Sequence, residues 1–209
     1  MGTPKQIPPP EHLRAALRVS VVSGAWTVAS SSAAVASGIL AHALVLVVFG
    51  LTGVLDAAGS WALALHFKHA LAHARVSEKR EHIALRVVSV GLISIGVFTI
   101  EESARRLATD SRAHSSVAGV AIAAASIIVL ASLAARKRQV SRLVGSDALR
   151  ADGWLSTIGA ALAVIAIVGT ALGARASWVD PVTALLVAVI ACSTGIGFLR
   201  REEREMDDG

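Results

Sequence analysis

The sequence predicts an all-α integral membrane protein with six transmembrane helices. Three observations carry this. Six apolar runs recur along the 209 residues with charged punctuation between them. The composition is 54% hydrophobic with a mean hydropathy of +0.64, more apolar than soluble domains of this size. The basic residues are concentrated in alternate loops. Ala, Val, Leu and Ile supply most of the apolar content, beside 4 Phe, 4 Trp and no Tyr, a composition suited to helices packed on helices in lipid.

Taken in order, the runs are Val19–Leu40, Ala43–Leu65 (interrupted by Asp56), Ile83–Ile100 (broken by Arg86), Val117–Ala135, Trp154–Ala174 and Val182–Leu199. Each is close to the ~20 residues that cross the hydrocarbon core as a helix. Backbone polar groups must be paired within lipid, and the runs lack strand alternation, so helices are expected throughout. Met1 to Pro10 is polar and Pro-rich, without the charged start and apolar core of a cleaved signal peptide, so the first run is expected to be retained as a span. The expected organisation is a cytoplasmic segment 1–17, a membrane domain 18–200 and a charged tail 201–209, with no separate cytosolic domain. The single Cys192 offers no disulfide within the chain.

The net charge of +5 and pI near 10.3 would suit nucleic acid or anionic lipid, but their distribution speaks for orientation. With the N-terminus, the loops after runs 2 and 4 and the C-terminus on one side, that side carries all of the 20 Lys and Arg residues except Arg105, Arg106, Arg112 and Arg175. Short loops rich in Lys and Arg stay cytoplasmic. Both termini are therefore expected in the cytoplasm, with the plasma (cell inner) membrane as location, the lipid bilayer as partner and no nucleic acid.

Asp56, in LTGVLDAAGSW, sits near the middle of the second run. A carboxylate at that depth costs roughly 2.5–3.5 kcal/mol on insertion scales and marks an ion site, a proton relay or a pairing partner. The alternative is a protonated Asp hydrogen-bonded to a nearby hydroxyl. Thr52 lies one turn earlier on the same face. Asp152 opens the fifth run with Ser156 one turn deeper; it reads either as a binding carboxylate or as one stabilised by the helix dipole. Asp147 reads as an N-cap. His66, His69 and His73, followed by His82, could present imidazoles on one face, or form a solvated interface segment with Lys68 and Arg75. Glu101 and Glu102 stand at ion-pair spacing from Arg105 and Arg106. Asp180-Pro181 reads as a cap and first turn of the last helix. Ser30, Ala34, Gly38, Gly91, Gly96, Gly195 and Gly197 allow close helix contact. No phosphate loop, HExxH or nucleophile elbow is present, and nothing supports an enzyme.

Several segments together resemble the cation diffusion facilitator (cation efflux) superfamily of metal/proton antiporters, from about Arg18 to Arg201. They are FGLTGVLDAAGSWALALHF from Phe49, SEKREHIALRVVSVG from Ser77, ALRADGWLSTIGAAL from Ala148 and WVDPVTALLVAVI from Trp178. Within it the chain looks closest to the small branch that lacks the C-terminal cytosolic domain and includes vesicular zinc-efflux membrane proteins. The resemblance implies a six-helix cation-efflux domain, a homodimer and a transported divalent cation such as zinc, with no tightly bound cofactor. Asp56 matches the second ligand of the family's second span. Thr52, Leu155 and Gly159 stand where its other ligands fall, and Asp152 is the acidic residue remaining on span 5. The function so implied is secondary transport exporting divalent cations against protons, with Asp56, Asp152, Thr52 and Ser156 as metal-binding candidates. The rival is a non-transporting partner subunit or metal sensor that keeps the fold with a degenerate site.

Overall fold

The computed structural model describes residues 8–73, 78–109 and 113–207, with the side chains of all of these except 73, 78–85, 87 and 201–207. Lys5, Arg75 and Arg112 of the charge pattern lie outside the described residues. Six helices run in order: α1 (Pro10–Leu40), α2 (Leu44–His73), α3 (Glu78–Ala108), α4 (Val117–Val144), α5 (Asp147–Gly173) and α6 (Val179–Asp207). No strand occurs among the described residues. Five helices are long and apolar enough to cross a membrane: Pro10–Leu40, Leu44–Ala72, Val117–Val144, Asp147–Gly173 and Val179–Arg200. They mark an integral membrane protein. Their outward faces are apolar, with Val117 86%, Leu40 83% and Ile128 70% exposed, a surface that lipid covers and water does not.

The helices outrun the apolar segments. Helix α1 begins at Pro10, nine residues before Val19, because Pro fits the first helical position and Leu13 and Ala16 turn inward. Those two side chains pack with Leu63 and Phe67 of α2, Val144 of α4 and Leu149 of α5 in a cluster at one end of the bundle. A larger cluster joins Ala34, Leu44, Val45, Leu46, Val48, Phe49, Ala123, Leu162, Ala166, Ala184 and Val187 towards the other end. Helix α2 is central and packs against α1, α3, α5 and α6. Its approach to α1 depends on glycine: a β-carbon on Gly50 would come within 2.7 Å of the Ser31 carbonyl oxygen and 2.9 Å of the Val35 nitrogen.

The caps depart from the sequence reading at two places. Ser146, not Asp147, caps α5, its hydroxyl accepting from the Leu149 N–H. Asp147 is the first helical residue and pairs with Arg150 at the surface. Gly145 ends α4 in the left-handed region at φ 64°, which glycine adopts without a β-carbon penalty. Asp180 does not cap its own helix. Its carboxylate accepts the Leu44 N–H at 2.8 Å and the Val45 N–H at 3.1 Å, so it caps α2 from the start of α6. Arg106 stands 3.5 Å from it and also donates to the His42 carbonyl at 2.6 Å. The expected pairing at the end of α3 is present. Glu102 receives Arg105 Nε and Nη2 at 2.8 Å each and Arg106 Nε at 2.9 Å.

Candidate functional site

Asp56 lies twelve residues into α2, about 18 Å from its start at 1.5 Å per residue. Thr52 precedes it by four residues and Ser60 follows by four, so the three share a face. That face looks into the bundle. It borders a cavity with about 40 Å³ of space for water centres, to which all six helices contribute; a single water needs ~10–15 Å³ on that measure. Among the described residues Asp56 is the only charged one in the wall. The other polar atoms there are hydroxyls, from Thr27, Ser30 and Ser31 of α1, Thr52 of α2 and Thr194 of α6. Asp56 Oδ1 and Thr27 Oγ1 are buried without a hydrogen-bond partner. Thr52, by contrast, spends its hydroxyl on its own helix, donating towards the Phe49 and Val48 carbonyls at 2.9 and 3.0 Å.

Thr52, Asp56, Leu155 and Gly159, the four positions singled out on α2 and α5 by the family resemblance, all line this one cavity. Asp152 and Ser156 do not. They belong to an adjoining cluster whose centre the sequence reading missed. Lys137 of α4 is fully buried. Its ammonium lies 2.7 Å from Asp152 Oδ2 and donates to Ser156 Oγ at 2.8 Å and to Ser60 Oγ at 3.1 Å. The three donors of the ammonium thus meet three oxygens. Ser60 in turn donates to Asp152 Oδ1 at 3.1 Å and stands 3.4 Å from Ser23 Oγ of α1. Ser156 donates to the Asp152 carbonyl. Asp152 therefore faces inward with a partner. Helix-dipole stabilisation at an entrance does not describe its setting.

By sequence Lys137 counts among the loop cations, because it stands in the basic run RKR. Its neighbours do point outward: Arg136 is exposed, and Arg138 lies 5.0 Å over the Trp154 ring and donates to Thr157 at 2.7 Å. The available signal was register. Lys137 continues the buried stripe Ser126, Leu130, Leu133, Ala134, Ser141 and Val144 at helical spacing. Gly153 of α5 admits it: a β-carbon there would come within 3.2 Å of Lys137 Cβ and Arg138 Cγ.

Asp56 and the cluster are linked. Ser60, one turn from Asp56 on α2, is a ligand of the ammonium. In formal charges the site holds two carboxylates and one ammonium. The histidine run is elsewhere. His66 is half-buried with its ring edge-on to Phe67, and His69 is exposed. The side chains of His73 and His82 lie outside the described set. Among the described residues no group of three or more His, Cys, Asp or Glu is placed to hold a metal ion. The donors around the cavity are oxygens, which suit hard cations and protons more than the imidazole and thiolate sets that favour zinc.

In comparisons with known proteins, no protein-family model matches the chain and no curated protein matches it.

Proposed function

We propose that this protein is a secondary transporter that carries a divalent metal cation across the membrane in exchange for protons, with Asp56 as the carboxylate that binds each in turn. The reading rests on one observation above others. A carboxylate oxygen in the second membrane helix is buried, has no hydrogen-bond partner and borders a cavity walled by six helices. A buried carboxylate without a partner is neutralised by a proton or a cation. An exchanger needs one group that accepts either. Hydroxyls from α1, α2 and α6 offer further oxygens, so an oxygen-preferring cation such as manganese suits the wall better than zinc. In this reading α3 is the sixth span, with its apolar run 83–100 in the bilayer, and both termini lie on the basic, cytoplasmic side. The basic loops and the histidines of α2 then meet ions at the cytoplasmic mouth.

The test is flux into proteoliposomes under an imposed proton gradient. Zinc, manganese, cobalt or iron uptake above an Asp56→Asn control supports transport. No flux of any of them above that control rejects it.

A specific observation favours the second reading, a non-transporting protein that retains the fold. Lys137 already neutralises Asp152, and Thr52, Leu155 and Gly159 bring no charge to the cavity. In that case Asp56→Ala leaves cellular metal tolerance unchanged.

A further inference from the structure

A buried lysine in a membrane helix needs a reason. An ammonium taken out of water costs several kcal/mol, which a single carboxylate offsets only when the remaining hydrogen bonds are also satisfied. Here they are. Asp152 Oδ2, Ser156 Oγ and Ser60 Oγ surround Lys137 Nζ at 2.7, 2.8 and 3.1 Å. They come from two helices, α5 and α2, while the lysine enters from a third, α4. A carboxylate and two hydroxyls converging on one point form a cation site, and its occupant is part of the chain. One helical turn along α2 lies Asp56, whose Oδ1 has no partner. The two carboxylates thus differ in one respect: one has a tethered cation and the other does not.

The geometry points to a cation subsite built from Asp152, Ser60 and Ser156 that Lys137 occupies as a tethered cation, reserving it from free ions and leaving Asp56 as the one carboxylate open to cargo. Lys137 is on this account a specificity-determining residue. It fixes the formal charge of the paired sites at minus one, where the two carboxylates alone give minus two. The ligand class that the subsite takes once the lysine is removed is a hard, oxygen-preferring cation, since it offers neither imidazole nor thiolate. Lys137's role in reserving Asp56 for cargo rests on the transport reading; the subsite itself does not.

The experiment counts Mn2+ bound per chain by electron paramagnetic resonance, using the full-length protein in lipid nanodiscs at fixed free Mn2+. Lys137→Met is expected to bind one Mn2+ more than wild type. Lys137→Arg, which keeps a tethered charge, gains none, and the Lys137→Met/Asp152→Asn double variant loses the gain. In an Asp56→Asn background Lys137→Met still gains one ion, which separates the subsite from the cavity. If Lys137→Met does not purify folded, Lys137→Ser, whose short polar side chain leaves room for water beside Asp152, gives the same comparison. A folded Lys137→Met or Lys137→Ser that binds no additional Mn2+, or a gain that survives Asp152→Asn, overturns the proposal. Wild type binding no Mn2+ while Lys137→Met binds one upholds the subsite and counts against Asp56 as the site for this cation.

Discussion

Replacing Asp180 by Ala is expected to be among the most damaging single changes in the protein, although the residue is far along the chain from what it holds. The residue is 1% exposed, and its carboxylate accepts two backbone N–H groups, of Leu44 at 2.8 Å and of Val45 at 3.1 Å, on residues that are themselves 2% and 0% exposed. These are two of the donors that a helix start leaves without intrahelical partners. Each buried donor stranded without an acceptor costs ~1–3 kcal/mol. The loss for Asp180→Ala is therefore about 2–6 kcal/mol. Asp180→Asn keeps one acceptor oxygen and is expected to lose roughly half as much. Arg106→Ala is expected to cost under ~1 kcal/mol through the 3.5 Å ion pair, because the arginine is partly exposed and the pair is long. The assay is equilibrium unfolding in mixed micelles, read by helicity, together with amide hydrogen exchange. Asp180→Ala should speed exchange at Leu44 and Val45 selectively. A loss below about 1 kcal/mol for Asp180→Ala, or identical losses for Ala and Asn, refutes this account of the cap.

Three further outcomes are expected. Lys137→Met and Asp152→Asn should each destabilise the fold by ~3–5 kcal/mol, because each leaves a buried charge uncompensated, whereas the double variant should recover most of the loss in the same unfolding assay. Gly50→Ala should destabilise by about 1–3 kcal/mol, because a β-carbon there would meet the α1 backbone at the Ser31 carbonyl and the Val35 nitrogen, while Gly59→Ala on the same helix, where a β-carbon meets nothing within 4 Å, should be neutral or stabilising by up to ~1 kcal/mol; thermal unfolding of the two variants decides. Glu102 is held at about 2, below its ordinary 4.5, by hydrogen bonds from Arg105 and then Arg106. A lowered folded value means a contribution fully present above about 4.5 and lost as pH falls through about 2, so the stability gap between wild type and Glu102→Gln should be constant above about pH 5 and close between about 4.5 and 2.

The fold was legible where its cause was local. Six apolar runs gave six helices, and for the five that are long and apolar enough to cross a membrane lipid leaves the backbone no other way to pair itself; the glutamate and arginines ending α3 paired as their spacing implied. The helix ends were less legible. Helix α1 starts at Pro10 and α2 continues through His73 because packing at the polar end of the bundle, on Phe67 and Leu149, extends helices beyond what hydropathy alone marks. Asp56 stood out in the sequence as a charge within an apolar run, and it borders the cavity. Lys137 did not stand out, because two arginines flank it and a count of loop charges cannot see which of three neighbours turns inward. Asp180 reads as a local cap in the sequence because its true partners are 135 and 136 residues away, a separation that no local pattern records.

The central claim is that Asp56 exchanges a proton for a cation within the cavity. It is tested most directly by labelling membranes with dicyclohexylcarbodiimide, which reacts with protonated carboxyls in apolar surroundings, and locating the adduct by mass spectrometry. The account predicts an adduct at Asp56 that Mn2+ or Zn2+ suppresses in a concentration-dependent way, and little at Asp152 while Lys137 is present. An Asp56 that is never labelled, or is labelled to the same extent at every cation concentration, contradicts it.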